Sequence, residues 1–261
     1  MGMKILLVGC GKMGGALLTQ WMRATSHTYN IIDPFLEAPV EGARLFKDIN
    51  ALGDEKFDLL IVAIKPQMID EILPAYQSVL SETGAVASIA AGCSVKRLQL
   101  ALPGFPVVRI MSNLPSAIGA GVAGLYASAD ATDHHKDTVE DLMQAAGTAV
   151  WVDDEDQIDR VTAVAGSGPG YVFEIARAYI EAAKDLGFSE DQARDLVLGT
   201  LDGAVRMILE TGEPPETLRN SVTSKNGTTE AGLKALNGEG KLSDLLKATT
   251  KAAYKRAIEL R

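Results

Sequence analysis

The sequence predicts an α/β protein with an N-terminal doubly wound, mainly parallel sheet and an all-helical C-terminal domain. Three observations predict it. The chain opens on Lys4-Ile5-Leu6-Leu7-Val8-Gly9-Cys10-Gly11-Lys12-Met13-Gly14, a short apolar run, a G-x-G-x-x-G turn and the start of a helix. Continuous apolar runs of strand length at 58–64, 85–89 and 107–111 then alternate with helix-like stretches, as in a parallel sheet covered on both faces. From about Asp159 onward strand signals disappear, which divides the chain into 1–158 and 159–261.

The opening turn carries the first chemical expectation. Gly9 would allow the sharp turn, Gly11 would let the backbone approach a pyrophosphate, and Gly14 would let the helix lie close to the strand. The N-terminus of the helix begun at Lys12 would offer unpaired N–H groups to the phosphates, with Met13 behind it on the apolar face of Met13, Leu17, Leu18, Trp21 and Met22. A flexible glycine turn is the plain alternative. The second strand, 28–32, ends at Asp33-Pro34. Asp33 is either an acceptor for the ribose hydroxyls of an adenosine or a turn aspartate before proline. No arginine follows at once to hold a 2′-phosphate, the nearest being Arg44, so the local chemistry leans towards NADH.

The run 58–64 ends at Lys65-Pro66, before helix-like sequence over 67–80; 85–89 ends in Ala90-Ala91-Gly92, and 107–111 in Ser112-Asn113. Ligands of doubly wound folds sit beyond the carboxyl ends of strands, so Gly9, Asp33, Lys65, Ala91 and Asn113 form a candidate cofactor rim. Strands at 122–126 and 149–152 flank a helix at 133–146. His134 and His135 at its start point to different faces, and neither Cys10 nor Cys93 lies in a ligand pattern, so no metal is expected.

In the second half, 161–186 is long and largely apolar and closes at Gly187. Ser189 with Gln192 has the capping-box pattern of a helix running to Thr211, which stops at Gly212. A short helix at 216–220 follows, then two more at 230–236 and 242–260. Apolar faces this broad are expected to pack against a second subunit, giving a homodimer or a higher homo-oligomer. The loop Thr223-Ser224-Lys225-Asn226-Gly227-Thr228-Thr229 precedes a helix. It is either an anion-binding nest suited to a carboxylate or a Ser- and Thr-rich helix cap.

Composition bounds the rest. With 47% hydrophobic and 23% charged residues the chain reads as an ordinary globular protein, and its net charge of −9 argues against a nucleic-acid partner. No apolar run reaches the roughly 18 residues that span a membrane. The first strand begins too early for a leader, and the two cysteines suit a reducing compartment, so a cytoplasmic protein is expected.

Taken together the motifs resemble the pyrroline-5-carboxylate reductase family. The resemblance rests on Gly9-x-Gly11-x-Met13, Ala63-Ile64-Lys65-Pro66, Ser88-Ile89-Ala90-Ala91-Gly92 and Arg109-x-Met111-x-Asn113-x-Pro115. It continues through Gly166-Ser167-Gly168-Pro169-x-Tyr171, Glu210-Thr211-Gly212-Glu213-x-Pro215 and the 223–229 loop followed by Ala231-Gly232-Leu233. It implies a Rossmann-type N-terminal domain, a helical domain that interlocks with a partner subunit, NAD(P)H as cofactor, and reduction of the C=N bond of pyrroline-5-carboxylate to proline. It further implies that Ser224, Gly227 and Thr228 receive the substrate carboxylate and that Thr229 is the catalytic residue at the ring nitrogen. Lys65, Pro66, Ala91 and Asn113 would lie around the nicotinamide. The chain departs from the family at Ser112 and Leu114, at Gly170, and at Lys225-Asn226, where Pro-Gly is usual. Asn tolerates the left-handed backbone, so the nest can survive that change. Reduction of a related cyclic imine acid, or non-catalytic NAD(P) binding by a regulator, are the alternative functions. A β-hydroxyacid dehydrogenase would need a lysine early in the helix that opens the second domain, where Pro169 and Gly170 stand.

Overall fold

The computed structural model describes residues 2–260 and separates into two compact units, one running to Ser167 and including Ala253 onward, the other Gly168–Ala252. The change of character expected at Asp159 thus begins inside the first unit. Residues 253–260 also belong to that unit.

In the first unit, β1 (Lys4–Val8) leads through the glycine turn into α1 (Lys12–Ala24), and β2 (Thr28–Ile32) follows. A three-residue strand, β3 (Arg44–Phe46), was not expected from the sequence; it is too short to show a period. Next come β4 (Phe57–Val62), β5 (Leu80–Ser88), β6 (Val107–Met111), β7 (Gly121–Ala127) and β8 (Gly147–Trp151). They form one sheet in the order β3-β2-β1-β4-β5-β6-β7-β8. Pairing is parallel from β3 to β6, antiparallel between β6 and β7, and parallel again between β7 and β8. Both faces of the parallel part are sealed, one by Leu17, Leu18 and Trp21 of α1, the other by Ile69, Leu73, Tyr76 and Leu98. This is why β1 and β4 read as unbroken apolar runs.

The helix expected over 67–80 is corrected. That stretch is a 3₁₀ turn at Pro66–Met68, a single α-turn α2 (Ile69–Ile72) and a 3₁₀ stretch Leu73–Val79, because Pro74 removes a backbone donor in its interior. A helix not foreseen, α3 (Val95–Ala101), follows β5; Ser94 caps it by accepting from the Arg97 N–H at 3.2 Å. After α4 (Asp133–Gln144) and β8, α5 (Asp156–Val161) passes into a π-helical turn at Thr162–Gly166, so 161–186 is not one helix.

The second unit is entirely helical: α6 (Gly168–Asp185), α7 (Glu190–Thr211), α8 (Pro215–Ser221), α9 (Thr228–Asn237) and the greater part of α10 (Lys241–Glu259). The Ser189–Gln192 capping box is present, and Gly212 takes the left-handed cap at φ 66°. Its buried apolar cluster holds only Ala183, Ala193 and Val197. Among the described residues no helix is long and apolar enough to cross a membrane.

Candidate cofactor and substrate sites

The strand order reverses at β1, with β2 on one side and β4 on the other, and the glycine turn opens at that point. The Gly9 N–H donates to the Ile32 carbonyl at 2.8 Å, and the Ala63 N–H to the Val8 carbonyl at 2.8 Å, so the ends of all three strands are locked together. Gly9 has φ 85°, and a Cβ there would lie 2.9 Å from the Ala63 carbonyl oxygen. A Cβ on Gly14 would meet the Ala63 Cβ at 3.1 Å, so α1 rests directly on the end of β4. Gly11 differs from both. Nothing in the protein lies within 4 Å of the place its Cβ would take. The space over the start of α1 is therefore open, and α1 has no side-chain cap, which leaves its first N–H groups for an external acceptor.

Around this point lies a cavity of about 300 Å³ lined by Gly9, Gly11, Asp33, Phe35, Lys65 and Tyr76, among others. It brings together residues from the ends of β1, β2 and β4. The Asp33 carboxylate accepts from three backbone donors: Cys10 N at 2.8 Å through Oδ2, Phe35 N at 2.9 Å and Leu36 N at 3.2 Å through Oδ1. Asp33 is thus a turn aspartate that also braces the glycine turn. Burial, and then the Asp33 charge, push the Cys10 thiol up. Cys93 is fully buried, and that burial pushes its thiol up to about 11.

The other rim residues are held by a network that the sequence did not disclose. Arg97 on α3 donates to the Pro66 carbonyl at 2.9 Å and forks onto Asp70 at 2.8 and 2.9 Å, tying the Lys65-Pro66 loop to the segment after Ala91-Gly92. Glu155 accepts from both the Val95 N–H and the buried Arg109 guanidinium, each at 2.7 Å, and Asp159 lies 3.8 Å from Arg109. Ala91 and Pro66 share a second hollow, of about 230 Å³, with Asp159 and Thr162. Asn113 is buried, and both ends of its amide are used: Nδ2 donates to the Ala165 carbonyl at 3.0 Å, and Oδ1 accepts from Val122 N at 2.9 Å. It pins the π-turn to the sheet. The one signal that could have found part of this network was the Ser94-x-x-Arg97 cap ahead of Val95, Leu98 and Ala101 at helical spacing.

In the helical unit, the 223–229 loop is a tight turn into α9. Asn226 has φ 61°, the left-handed conformation its side chain tolerates. A Cβ on Gly227 would lie 2.3 Å from the Ser224 hydroxyl and 3.0 Å from the Ser224 carbonyl, so a larger residue would have to turn that hydroxyl and crowd the loop backbone. Gly227 N donates to that carbonyl at 3.0 Å, and Asn226 N donates to the Glu230 carboxylate. With Gly227 as N-cap, α9 has no side-chain cap, and the first turn that contains Thr228 and Thr229 presents its N–H groups outward. Ser224, Thr228 and Lys225 are exposed and Thr229 half-buried.

The fold and the open glycine turn define a Rossmann-type dinucleotide-binding protein with an appended helical unit. Residues 155–260 match the family model described as pyrroline-5-carboxylate reductase dimerisation. The chain is 36% identical to the pyrroline-5-carboxylate reductase of Pseudomonas aeruginosa, over 98% of this chain and 96% of that one. It is 34% identical to that of Vibrio alginolyticus, over 98% and 97%. A solved pyrroline-5-carboxylate reductase from Coxiella burnetii superposes with a TM-score of 0.93 at 33% identity, covering 100% and 99% of the two chains. The chain belongs to the pyrroline-5-carboxylate reductase family.

Proposed function

We propose that this chain reduces 1-pyrroline-5-carboxylate to L-proline with a hydride from NAD(P)H, the last step of proline biosynthesis, as a cytoplasmic enzyme. The observation that carries the proposal is that relatives of that name match it along nearly their whole length, over both the open turn at Gly11 and the close-packed loop at Gly227. The residues fit the cofactor. Gly11 leaves room for a diphosphate, the first turn of α1 offers it N–H donors, and Asp33 faces the same cavity. Lys12 and Met13 begin the helix that receives the diphosphate. Lys65, Pro66 and Ala91 form the rim for the nicotinamide, framed by Asn113.

Bound NAD(P)H supplies a hydride. The chain's own residues do the rest by positioning. The substrate carboxylate is held by the open N–H groups of the first turn of α9 and by the Ser224 and Thr228 hydroxyls, and Gly227 permits the close approach. Thr229 accepts a hydrogen bond from the protonated ring nitrogen and keeps that proton in place. The imine carbon is then electrophilic, and the C=N electron pair comes to rest on nitrogen as the new C–H bond forms. No strong general base is required.

The helical unit adds assembly as a homodimer or a higher homo-oligomer through α6 and α7, where Phe173, Tyr179 and Met207 are about half exposed. The test is spectrophotometric: purified protein should oxidise NADH or NADPH only when pyrroline-5-carboxylate is added, with stoichiometric proline formed. Oxidation with another cyclic imine acid and not with this one would replace the substrate. Dinucleotide binding without turnover on either would leave a regulator.

A further inference from the structure

We infer that this chain selects NADH over NADPH, and that the selecting residue is Asp33, through a carboxylate that the backbone prevents from turning away. The inference rests on the reading above that the cavity at Gly11 holds a dinucleotide. A carboxylate at the end of the second strand is useful for selection only if it stays where the ribose arrives. In many turns an aspartate can rotate into solvent. Here it cannot, because its two oxygens take N–H groups from two separate segments, Cys10 of the glycine turn at 2.8 Å and Phe35 and Leu36 of its own turn at 2.9 and 3.2 Å. The Asp33 N–H is itself held by the Phe46 carbonyl at 3.1 Å.

An ionised carboxylate has about four acceptor positions. Three are taken, which leaves one. A ribose hydroxyl can donate to it. A 2′-phosphate at neutral pH carries close to two negative charges, has no proton to give, and would meet a fixed negative charge in a sheltered cavity.

The nearby cations do not reverse this. Arg44 is forked onto Glu55 at 2.5 and 3.3 Å. Lys47 donates to the Leu36 carbonyl. Lys65 lines the cavity, but on the β4 side, one strand beyond β1 from the end of β2 where Asp33 sits. Lys12 opens α1, on the diphosphate side of the turn.

Asp33 therefore has two separable effects, bracing the glycine turn and setting the charge at the ribose. A damaged brace weakens both dinucleotides together, whereas a lost charge changes their ratio. The ratio is the quantity to measure.

The experiment titrates the full-length protein with NADH and with NADPH, by quenching of intrinsic fluorescence and by calorimetry, without pyrroline-5-carboxylate. The unchanged chain should bind NADH at least about tenfold more tightly than NADPH. In Asp33→Ser and Asp33→Asn the NADH-to-NADPH ratio should fall by about tenfold or more, even where both affinities drop. Since a variant can lose its fold, the unchanged chain gives a second measurement: ADP-ribose should displace bound NADH, and the 2′-phosphate of ADP-ribose should fail to do so at the same concentration. Equal or tighter NADPH binding by the unchanged chain, or a ratio that neither variant moves, would overturn the inference and leave the reductase reading standing. Failure of both dinucleotides to bind would overturn the two together.

Discussion

Trp21, Leu17 and Leu18 are sealed between α1 and the sheet, while Val172, Phe173, Tyr179, Val205 and Met207 stand about half exposed on α6 and α7. The first unit completes its own interior, with apolar side chains from β1, β2, β4 and β5 covered on both faces. The second has three buried apolar residues for its whole length. A unit that buries so little cannot offset the conformational entropy of ordering its backbone. The chain therefore carries one region that covers its own apolar faces and one that leaves them open, the surface through which assembly is proposed. The local chemistry divides along the same line. The proposed cofactor elements sit on locked strand ends, and the proposed substrate loop sits on the helices whose apolar faces are open.

The sharpest way to break this comparison is to charge the apolar helical faces. Phe173→Glu combined with Met207→Glu should weaken assembly by at least about 100-fold, since each side chain contributes about 1.5–3 kcal/mol when buried and each charge adds a desolvation cost. Sedimentation velocity over a range of concentrations reads this directly. Dissociation with intact NADH binding supports the division; unchanged assembly would mean that α6 and α7 face solvent in solution.

The reverse test acts on the sheet alone. Gly9→Ala places a Cβ 2.9 Å from the Ala63 carbonyl and asks alanine to hold φ 85°. A non-glycine residue in that region costs about 1–2 kcal/mol before the clash is counted. NADH binding should fall by about tenfold or more while the oligomer persists. Gly14→Ala, with its 3.1 Å contact to the Ala63 Cβ, should do less.

Thr229→Ala asks whether the chemistry belongs to the helical unit. Removing one hydrogen bond to a charged group should lower kcat by about tenfold or more. NADH affinity, set in the other unit, should stay within about twofold. Unchanged kcat would take Thr229 out of the mechanism.

How far the sequence could be read follows the same contrast. Strands buried on both faces announce themselves as unbroken apolar runs, so β1, β2, β4 and β6 were legible almost to the residue. So were the capped helices, because Ser189, Gln192 and Gly212 act locally. What stayed hidden depends on distant partners. The stretch after Pro66 reads as helix until Pro74 in its interior is weighed against sheet packing. β3 is an edge strand of three residues. Glu155 carries no signal of its own, yet it joins Val95 to Arg109 across sequence separations of 60 and 46 residues. The same holds for Asp33, whose spacing marked it for ribose but whose bond to the Cys10 N–H belongs to the folded turn alone.

The smallest effect concerns the outer edge of the sheet, at Glu55. Arg44 and then Lys4 hold its carboxyl down at about 2 by hydrogen bonding, joining the start of β1 to β3. A carboxyl lowered on folding stabilises the fold above its ordinary value of 4.5, and that stabilisation is lost as pH falls from there towards 2. The group lies near the surface, so solvent and salt keep its contribution below about 1 kcal/mol. Glu55→Gln should therefore lower the Tm by only a few degrees at pH 7, less in high salt, and by nothing near pH 2. Because the cluster lies wholly within the self-sufficient unit, the variant should melt earlier without any change in oligomer size. A shift in assembly at constant pH would show that the sheet unit, too, leans on its partner.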